Sequence, residues 1–287
     1  MRYFKPDTFG DALAIAAQET GSVRYLAGGT DVLVQLRSDV FTPDALIDLK
    51  GIAGTKDILQ KADGGWEIGV AVSGAEISEH AALCQDWPGI VEAMDLIGST
   101  QVQGRATLVG NLCNGSPAAD SVPAMVAAGV YVTVQGPSGT RDIAVADIPT
   151  GPGKTVLAAD EIITRLHIPA RGSGGGDAYE RFIPRTEMDI AVVGCGINLQ
   201  VEGDKIVKAQ VAVGAVAPTI RLVPEAEAAL VGSTLDADAL DALAAAVQDA
   251  CDPINDKRGT IEFRIDVAGV LSRRVAETAY ARARSAQ

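Results

Sequence analysis

Apolar and polar positions alternate along this chain in two periods, and the places where the period changes carry most of the information. Across residues 8–20, Ala12, Leu13, Ile15, Ala16 and Ala17 recur with helical spacing, and Gly21 follows as a stop. Arg24-Tyr25-Leu26-Ala27 then reads as a short strand that runs straight into Gly28-Gly29-Thr30-Asp31. A helix is expected over residues 32–37 and a further strand over 46–49. Residues 66–72 alternate as a β-strand does, and 75–83 return to a helical pattern. Several glycines and polar amides lie among the β-formers of residues 98–114. Residues 116–121 have the look of a helix start, and 122–134 are strongly apolar. Alternating strands continue to Ile168.

Pro169 and the run Gly172-Ser173-Gly174-Gly175-Gly176 break this pattern. Such a run reads as a flexible connector or an exposed loop tip, and a domain boundary is expected near it. Beyond it, residues 190–201 and 206–213 form two apolar alternating strands, with Gly203-Asp204 between them as a hairpin turn. Residues 235–250 form an alanine-rich helix. Residues 263–281 form another, with Arg264, Arg273 and Arg274 on its polar side. Strands followed by helices predict an α+β C-terminal domain.

The chain has 287 residues, 47% hydrophobic and 21% charged, enough for a sizeable core in one large or two to three small domains. A net charge of −13 argues against a nucleic-acid or anionic-membrane surface. No apolar run is long enough to span a bilayer and no leader-like segment opens the chain, so a cytoplasmic location is expected. Cys84, Cys113, Cys195 and Cys251 are scattered, without the close spacing of zinc or iron–sulfur ligands. They read as buried thiols, and no metal site is expected.

Two glycine-bearing segments carry the candidate chemistry. In Ala27-Gly28-Gly29-Thr30-Asp31 the missing Cβ atoms let a ligand approach the backbone, and successive amides can form an anion-binding concavity. A helix starting at Val32 would add its N-terminal dipole, with Thr30 and Asp31 as caps or ligand contacts. The second segment runs from Thr107 through Val109, Gly110, Asn111 and Asn114 to Ser116. It reads as a β-like approach to a glycine, with Asp120 a turn further on to accept hydrogen bonds from sugar hydroxyls. Each segment alone is explained as easily by an ordinary turn. Together they suit one ligand carrying two phosphates. The dinucleotide fingerprint G-x-G-x-x-G is absent, because Asp177 stands where its last glycine would be. Gly153-Lys154-Thr155 imitates a P-loop end, but Ile148 occupies the required first glycine.

In this order the segments resemble the medium, FAD-binding subunit of the xanthine dehydrogenase and carbon monoxide dehydrogenase family. The resemblance begins at Phe4-Lys5-Pro6 and runs through both glycine segments, then Ser116-Pro117-Ala118-Ala119-Asp120-Ser121-Val122-Pro123-Ala124, Gly151-Pro152-Gly153-Lys154-Thr155 and residues 161–169. It ends with Asp189-Ile190-Ala191-Val192-Val193 and the stretch from Asp256 to Arg264. It implies an α+β architecture. A two-part FAD-binding domain of the vanillyl-alcohol-oxidase/PCMH type would occupy residues 1–175, split near 55. A smaller α+β domain of the carbon monoxide dehydrogenase flavoprotein type would occupy 176–287.

The resemblance also implies that backbone amides from Leu26 to Val32 and from Thr107 to Asn111 hold the FAD pyrophosphate. Ser116 and Asp120, with Asn114 nearby, would meet its ribose, ribityl or phosphate groups. Leu166 would pack near the isoalloxazine, and Arg185 and Asp189 would approach it from the C-terminal domain. The family often has two glycines at the second segment, where this chain has Val109 before Gly110. Implied partners are a small subunit with two [2Fe–2S] centres and a large molybdopterin subunit, in a dimer of heterotrimers that serves a terminal electron acceptor. The protein would bind and orient the flavin, with no acid–base residue of its own. His80 and His167 read as structural. A stand-alone FAD oxidoreductase and a flavin-free scaffold of the same fold are the alternatives.

Overall fold

The computed structural model describes residues 1–287. Its first unit is a small parallel sheet. Strands β1 (Arg2–Phe4), β2 (Val23–Leu26) and β3 (Ala45–Asp48) lie in the order β1-β3-β2, with helices α1 (Phe9–Gln18) and α2 (Thr30–Arg37) in the connections. Thr8 caps α1, its hydroxyl accepting from the Asp11 amide at 3.0 Å. The central strand β3 is buried along its whole length, as expected for a parallel strand covered on both faces.

The second unit is a five-stranded antiparallel sheet faced by short helices. In chain order it comprises β4 (Ile58–Gln60), β5 (Trp66–Gly69), α3 (Gly74–Ser78), α4 (Ala81–Asp86), α5 (Pro88–Asp95), α6 (Thr100–Gln103), α7 (Leu108–Cys113), α8 (Ser121–Ala127), β6 (Tyr131–Gly136) and β7 (Gly139–Ala144). The small ribbon β8 (Pro149–Gly151) with β9 (Lys154–Thr155) and the strand β10 (Ile162–Ile168) complete it. The sheet order is β4-β5-β10-β6-β7.

The third unit is a four-stranded antiparallel sheet of β11 (Gly175–Phe182), β12 (Val193–Glu202), β13 (Lys205–Gly214) and β14 (Arg221–Leu222). Helices α9 (Pro224–Leu230), α10 (Ala237–Asp249) and α11 (Ile261–Ser285) follow, and α11 packs on β11 and β12. No helix is long and apolar enough to cross a membrane.

Several expectations need correction. The helix expected over 75–83 is two helices: a capping box between Ser73 and Glu76 starts α3, and His80 restarts the chain as α4 by accepting from the Leu83 amide. The glycine run is only partly a loop. Gly175 and Gly176 belong to β11 and are buried, and a Cβ on Gly176 would overlap the backbone of Ala279 and Ala283 in α11. Glycine there admits a helix to the sheet surface rather than loosening the chain. Arg264 is not on a polar face but 4% exposed. Its Nη1 donates to the Val192 carbonyl at 2.8 Å, and its Nη2 pairs with Asp256 at 2.8 Å. Of the four thiols, Cys195 is buried, Cys84 and Cys251 are half-buried, and Cys113 is exposed.

Two hydrophobic cores result. One lies under the second sheet and its helices, and the other lies between the C-terminal sheet and α9–α11. Tyr179 of β11 and Ala212 of β13 belong to the first core although their strands belong to the third unit.

Candidate functional site

Strand β2 ends at Leu26, and the chain turns through Ala27, Gly28 and Gly29 into α2. Gly29 adopts φ +84°, a left-handed conformation that suits glycine, and serves as the helix cap with no side chain to satisfy the first amides. Thr30 and Asp31 are therefore the first helical residues and not the caps expected of them. The amides of Gly28, Gly29, Asp31 and Val32 make no hydrogen bond within the chain. A row of open donors at the positive end of a helix favours an anion. Burial raises the pKa of the Asp31 carboxyl, so its charge is disfavoured beside that row.

From below, the turn is held by a residue that the sequence reading missed. Lys50 Nζ donates to the Ala27 carbonyl at 3.1 Å and pairs with Asp48 at 2.7 Å. Burial opposes the charge on Asp48, but hydrogen bonds from Lys50 and Tyr3 outweigh it and keep the carboxyl below its ordinary pKa. A lysine two residues past a strand gives no sequence signal that it reaches back to a turn.

The second glycine segment meets the first. A Cβ on Gly28 would overlap the Arg105 carbonyl oxygen and stand 3.2 Å from the Ala106 Cα. The two backbones are thus in contact although they are far apart in sequence. The approach to Gly110 is not β-like, however. Thr107 caps α7, its hydroxyl accepting from the Gly110 amide at 2.9 Å, while the Asn111 amide donates to the Thr107 carbonyl at 3.0 Å. Those two amides are taken internally. The amides of Leu108 and Val109 stay open, again in the first turn of a helix. The Val109 side chain is buried in the main core, so it does not stand in front of its own amide.

The following residues are tied to this helix. Asn111 Oδ1 accepts from the Ser121 hydroxyl at 2.8 Å and from its amide at 3.2 Å, which fixes the start of α8 to α7. Ser116 Oγ accepts from the Ala118 amide at 3.2 Å, and Asn114 is the half-buried C-cap of α7. Gly115, at φ +64°, lies against the 153–154 loop, and its carbonyl accepts from the Gly153 amide at 2.9 Å. Asp120 is almost fully buried. Its carboxylate receives Arg181 Nη1 at 2.6 Å and the Tyr179 hydroxyl at 3.4 Å.

Three expected residues make no hydrogen bond to the glycine turns. Leu166 has no exposed surface and sits in the core on the central strand β10. Arg185 and Asp189 occupy the loop between β11 and β12, paired at 3.1 Å, and Arg258 Nε donates to Asp189 at 3.0 Å. With Pro184 and Lys257 they line a cavity of about 270 Å³. Hydrogen bonds from Arg185 and Arg258 hold Asp189 well below the usual carboxylate range. This cluster's hydrogen bonds are internal and none joins it to the glycine turns. His167 Nε2 meets Thr133 Oγ1 at 2.8 Å and its ring stacks on Tyr131, and His80 is a helix cap; both positions suit the structural reading.

The unpaired amides at the starts of α2 and α7, brought together by the contact at Gly28, fit a diphosphate. Clusters of open backbone amides of this kind suit an anionic ligand. Residues 1–171 match the family "FAD binding domain in molybdopterin dehydrogenase", and residues 178–279 match "CO dehydrogenase flavoprotein C-terminal domain". The chain belongs to the FAD-binding medium subunits of the molybdenum hydroxylases, a family of oxidoreductases.

Among individual proteins, it is 33% identical to the carbon monoxide dehydrogenase medium chain of Afipia carboxidovorans, over 99% of this chain and 98% of that one. It is 28% identical to the xanthine dehydrogenase FAD-binding subunit of Escherichia coli O157:H7, over 98% and 96%. A crystal structure of the Cu,Mo-containing CO dehydrogenase, in its cyanide-inactivated form, superposes with a TM-score of 0.93 at 32% identity. That match covers 98% of both chains.

Gly110→Ala tests how far the second segment depends on glycine. The new Cβ would stand 2.8 Å from Thr107 Oγ1 and turn that cap away. Loss of the cap costs about 1 kcal/mol, and replacing glycine within a helix returns a similar amount. Unfolding by urea should show a net change below about 0.5 kcal/mol, with flavin content retained.

Proposed function

We propose that this chain holds FAD between the amides of residues 28–32 and those of Leu108 and Val109, and relays electrons within a larger complex. The observation that carries this reading is the pair of open amide clusters set side by side by the contact between Gly28 and Arg105. Lys50 supports the first turn, and Asn111 ties the second to α8. Ser116 and Asp120 follow α7 in the chain, and in this reading the polyol part of the cofactor runs beside them. The backbone of β10 and the Arg185–Asp189 loop are the flavin-ring side of the site in this reading. Bound there, FAD supplies two-electron redox chemistry.

The protein's work is to fix the cofactor and exclude competing chemistry, and the two histidines are committed to structural contacts. Electrons arrive from two [2Fe–2S] centres in a small partner subunit, and a large molybdopterin subunit carries the substrate chemistry. The chain hands the electrons to a terminal acceptor, in a cytoplasmic dimer of heterotrimers.

Purification of the chain with its untagged neighbours tests the assignment. FAD, iron and molybdenum should travel together with the protein. Flavin reduced by a small substrate in the absence of iron and molybdenum would favour a stand-alone oxidoreductase instead. A colourless chain that takes up no FAD would favour the scaffold.

A further inference from the structure

We propose that Arg181 is a positioning residue for the flavin site: it reaches from the C-terminal sheet, clamps the Asp120 carboxylate, and so fixes the 116–121 segment beside the cofactor. The proposal rests on the flavin reading above and assigns a role to a residue outside both glycine segments.

The placement comes from the alternation of β11. On one side of the strand, Gly176 lies against α11 and Ala178 enters the C-terminal core. Asp177, Tyr179 and Arg181 point the other way, to the FAD-binding half. Asp177 lies against Gly89 of α5, Tyr179 joins the first core, and Arg181 meets Asp120 at the start of α8. The Arg181 side chain is only 5% exposed. One guanidinium nitrogen is 2.6 Å from Asp120, and its Nε has no partner. Gly194 on β12 leaves room for the Tyr179 ring, since a Cβ there would stand 2.6 Å from the phenol oxygen.

From Asp120 the contact continues through Ser121 to Asn111 and the open first turn of α7. Two hydrogen bonds, joined by the Asp120–Ser121 backbone, therefore connect a C-terminal strand to α7.

Holding the two halves together does not require this pair. Arg282 of α11 already bonds Glu92 of α5 and the Asp177 carbonyl, and Glu92 accepts from the Tyr179 amide at 3.1 Å. Arg171 pairs with Asp177 at 2.7 Å and lies over the Trp87 ring. What Arg181 adds is a charge at Asp120. Burial pushes the Asp120 carboxyl up to about 6, against the pull of Arg181 and the Tyr179 hydroxyl, which are the groups that face it. Burial also raises Tyr179 and, behind it on β12, Cys195, so both are neutral near pH 7. Arg181 is thus the cation that keeps Asp120 ionised and available to hydroxyl donors.

The sign follows from linkage. A ligand that prefers the ionised carboxylate binds more tightly as pH rises through the carboxyl's pKa. The test is titration of the full-length, flavin-stripped chain with FAD, followed by flavin fluorescence between about pH 5 and pH 8. The wild-type dissociation constant should fall as pH rises through about 6.

Arg181→Met should raise it roughly tenfold or more at pH 7 and move the pH midpoint upward. Arg181→Lys should restore both in large part, and Asp120→Asn should bind weakly with no pH midpoint. Arg181→Met with the wild-type constant and pH profile would overturn the proposal. So would a pH midpoint that survives in Asp120→Asn, which decides the matter if Arg181→Met fails to fold. A wild-type chain that takes up no FAD at any pH would remove the flavin reading itself, and this proposal with it.

Discussion

Gly28→Val is expected to yield a chain that keeps neither its flavin nor its full stability. The reason lies in the contact between the two glycine segments more than in the ligand. A Cβ at residue 28 overlaps the Arg105 carbonyl oxygen, and the neighbour is backbone, which cannot rotate aside. Overpacking usually costs about 1–3 kcal/mol, and a collision with rigid main chain belongs at or above the upper end. Relief requires the 27–32 turn to move off the Arg105–Ala106 backbone that leads into α7, which would draw the two groups of open amides apart. Flavin content after purification and a urea unfolding curve both read the outcome. Full FAD occupancy with an unchanged midpoint would show that the two segments do not act as one site. The contrast with Gly110→Ala matters: one glycine sits where two backbones touch, and the other has only a hydroxyl for a neighbour.

The second large effect is expected at Arg264. Its guanidinium bonds the Val192 and Ala215 carbonyls and pairs with Asp256, joining the first turn of α11 to the start of β12. Arg264→Met keeps much of the side-chain volume but leaves buried acceptors without donors. The cost is about 3 kcal/mol, the upper end of the range for a buried acceptor left without its donor. Thermal unfolding should begin roughly 10 °C lower. Lysine should recover only part of the loss, because one ammonium cannot reproduce the planar fork that meets several acceptors at once. An unchanged melting curve for Arg264→Met would mean that the C-terminal unit draws its stability from its apolar core alone.

Much of this architecture could be read from the pattern of residues. The hairpin of β12 and β13 showed itself through alternation and Gly203-Asp204, and α1 through its helical spacing, although the helix stops at Gln18 with Glu19 as its cap, short of the expected Gly21. The strand-to-turn-to-helix path at Gly28 was equally plain, because Gly-Gly after apolar residues has few other uses. What stayed hidden depended on distant partners. Thr107-Leu108-Val109 has β-forming residues and was read as extended. It is helical because the Thr107 hydroxyl caps it and Leu108, Val109 and Leu112 are drawn into the core. Arg264 fell on an apparently polar stripe, and nothing local shows that carbonyls of residues 192 and 215 await it. Asp120 was recognised as a candidate ligand for hydroxyls. Its partners Tyr179 and Arg181 lie in another sheet, and no spacing rule connects them.

A strand that serves two cores also limits how this chain can be recombined. In β11, odd-numbered positions from 177 to 181 are matched to α5 and α8, while Gly176 and Ala178 are matched to the C-terminal core. A chimera spliced with a relative in the loop before β11 would inherit three side chains fitted to a foreign pair of helices. The seam between the halves therefore runs along the middle of a strand, and an exchange that respects it must carry Gly89, Glu92 and Asp120 together with β11.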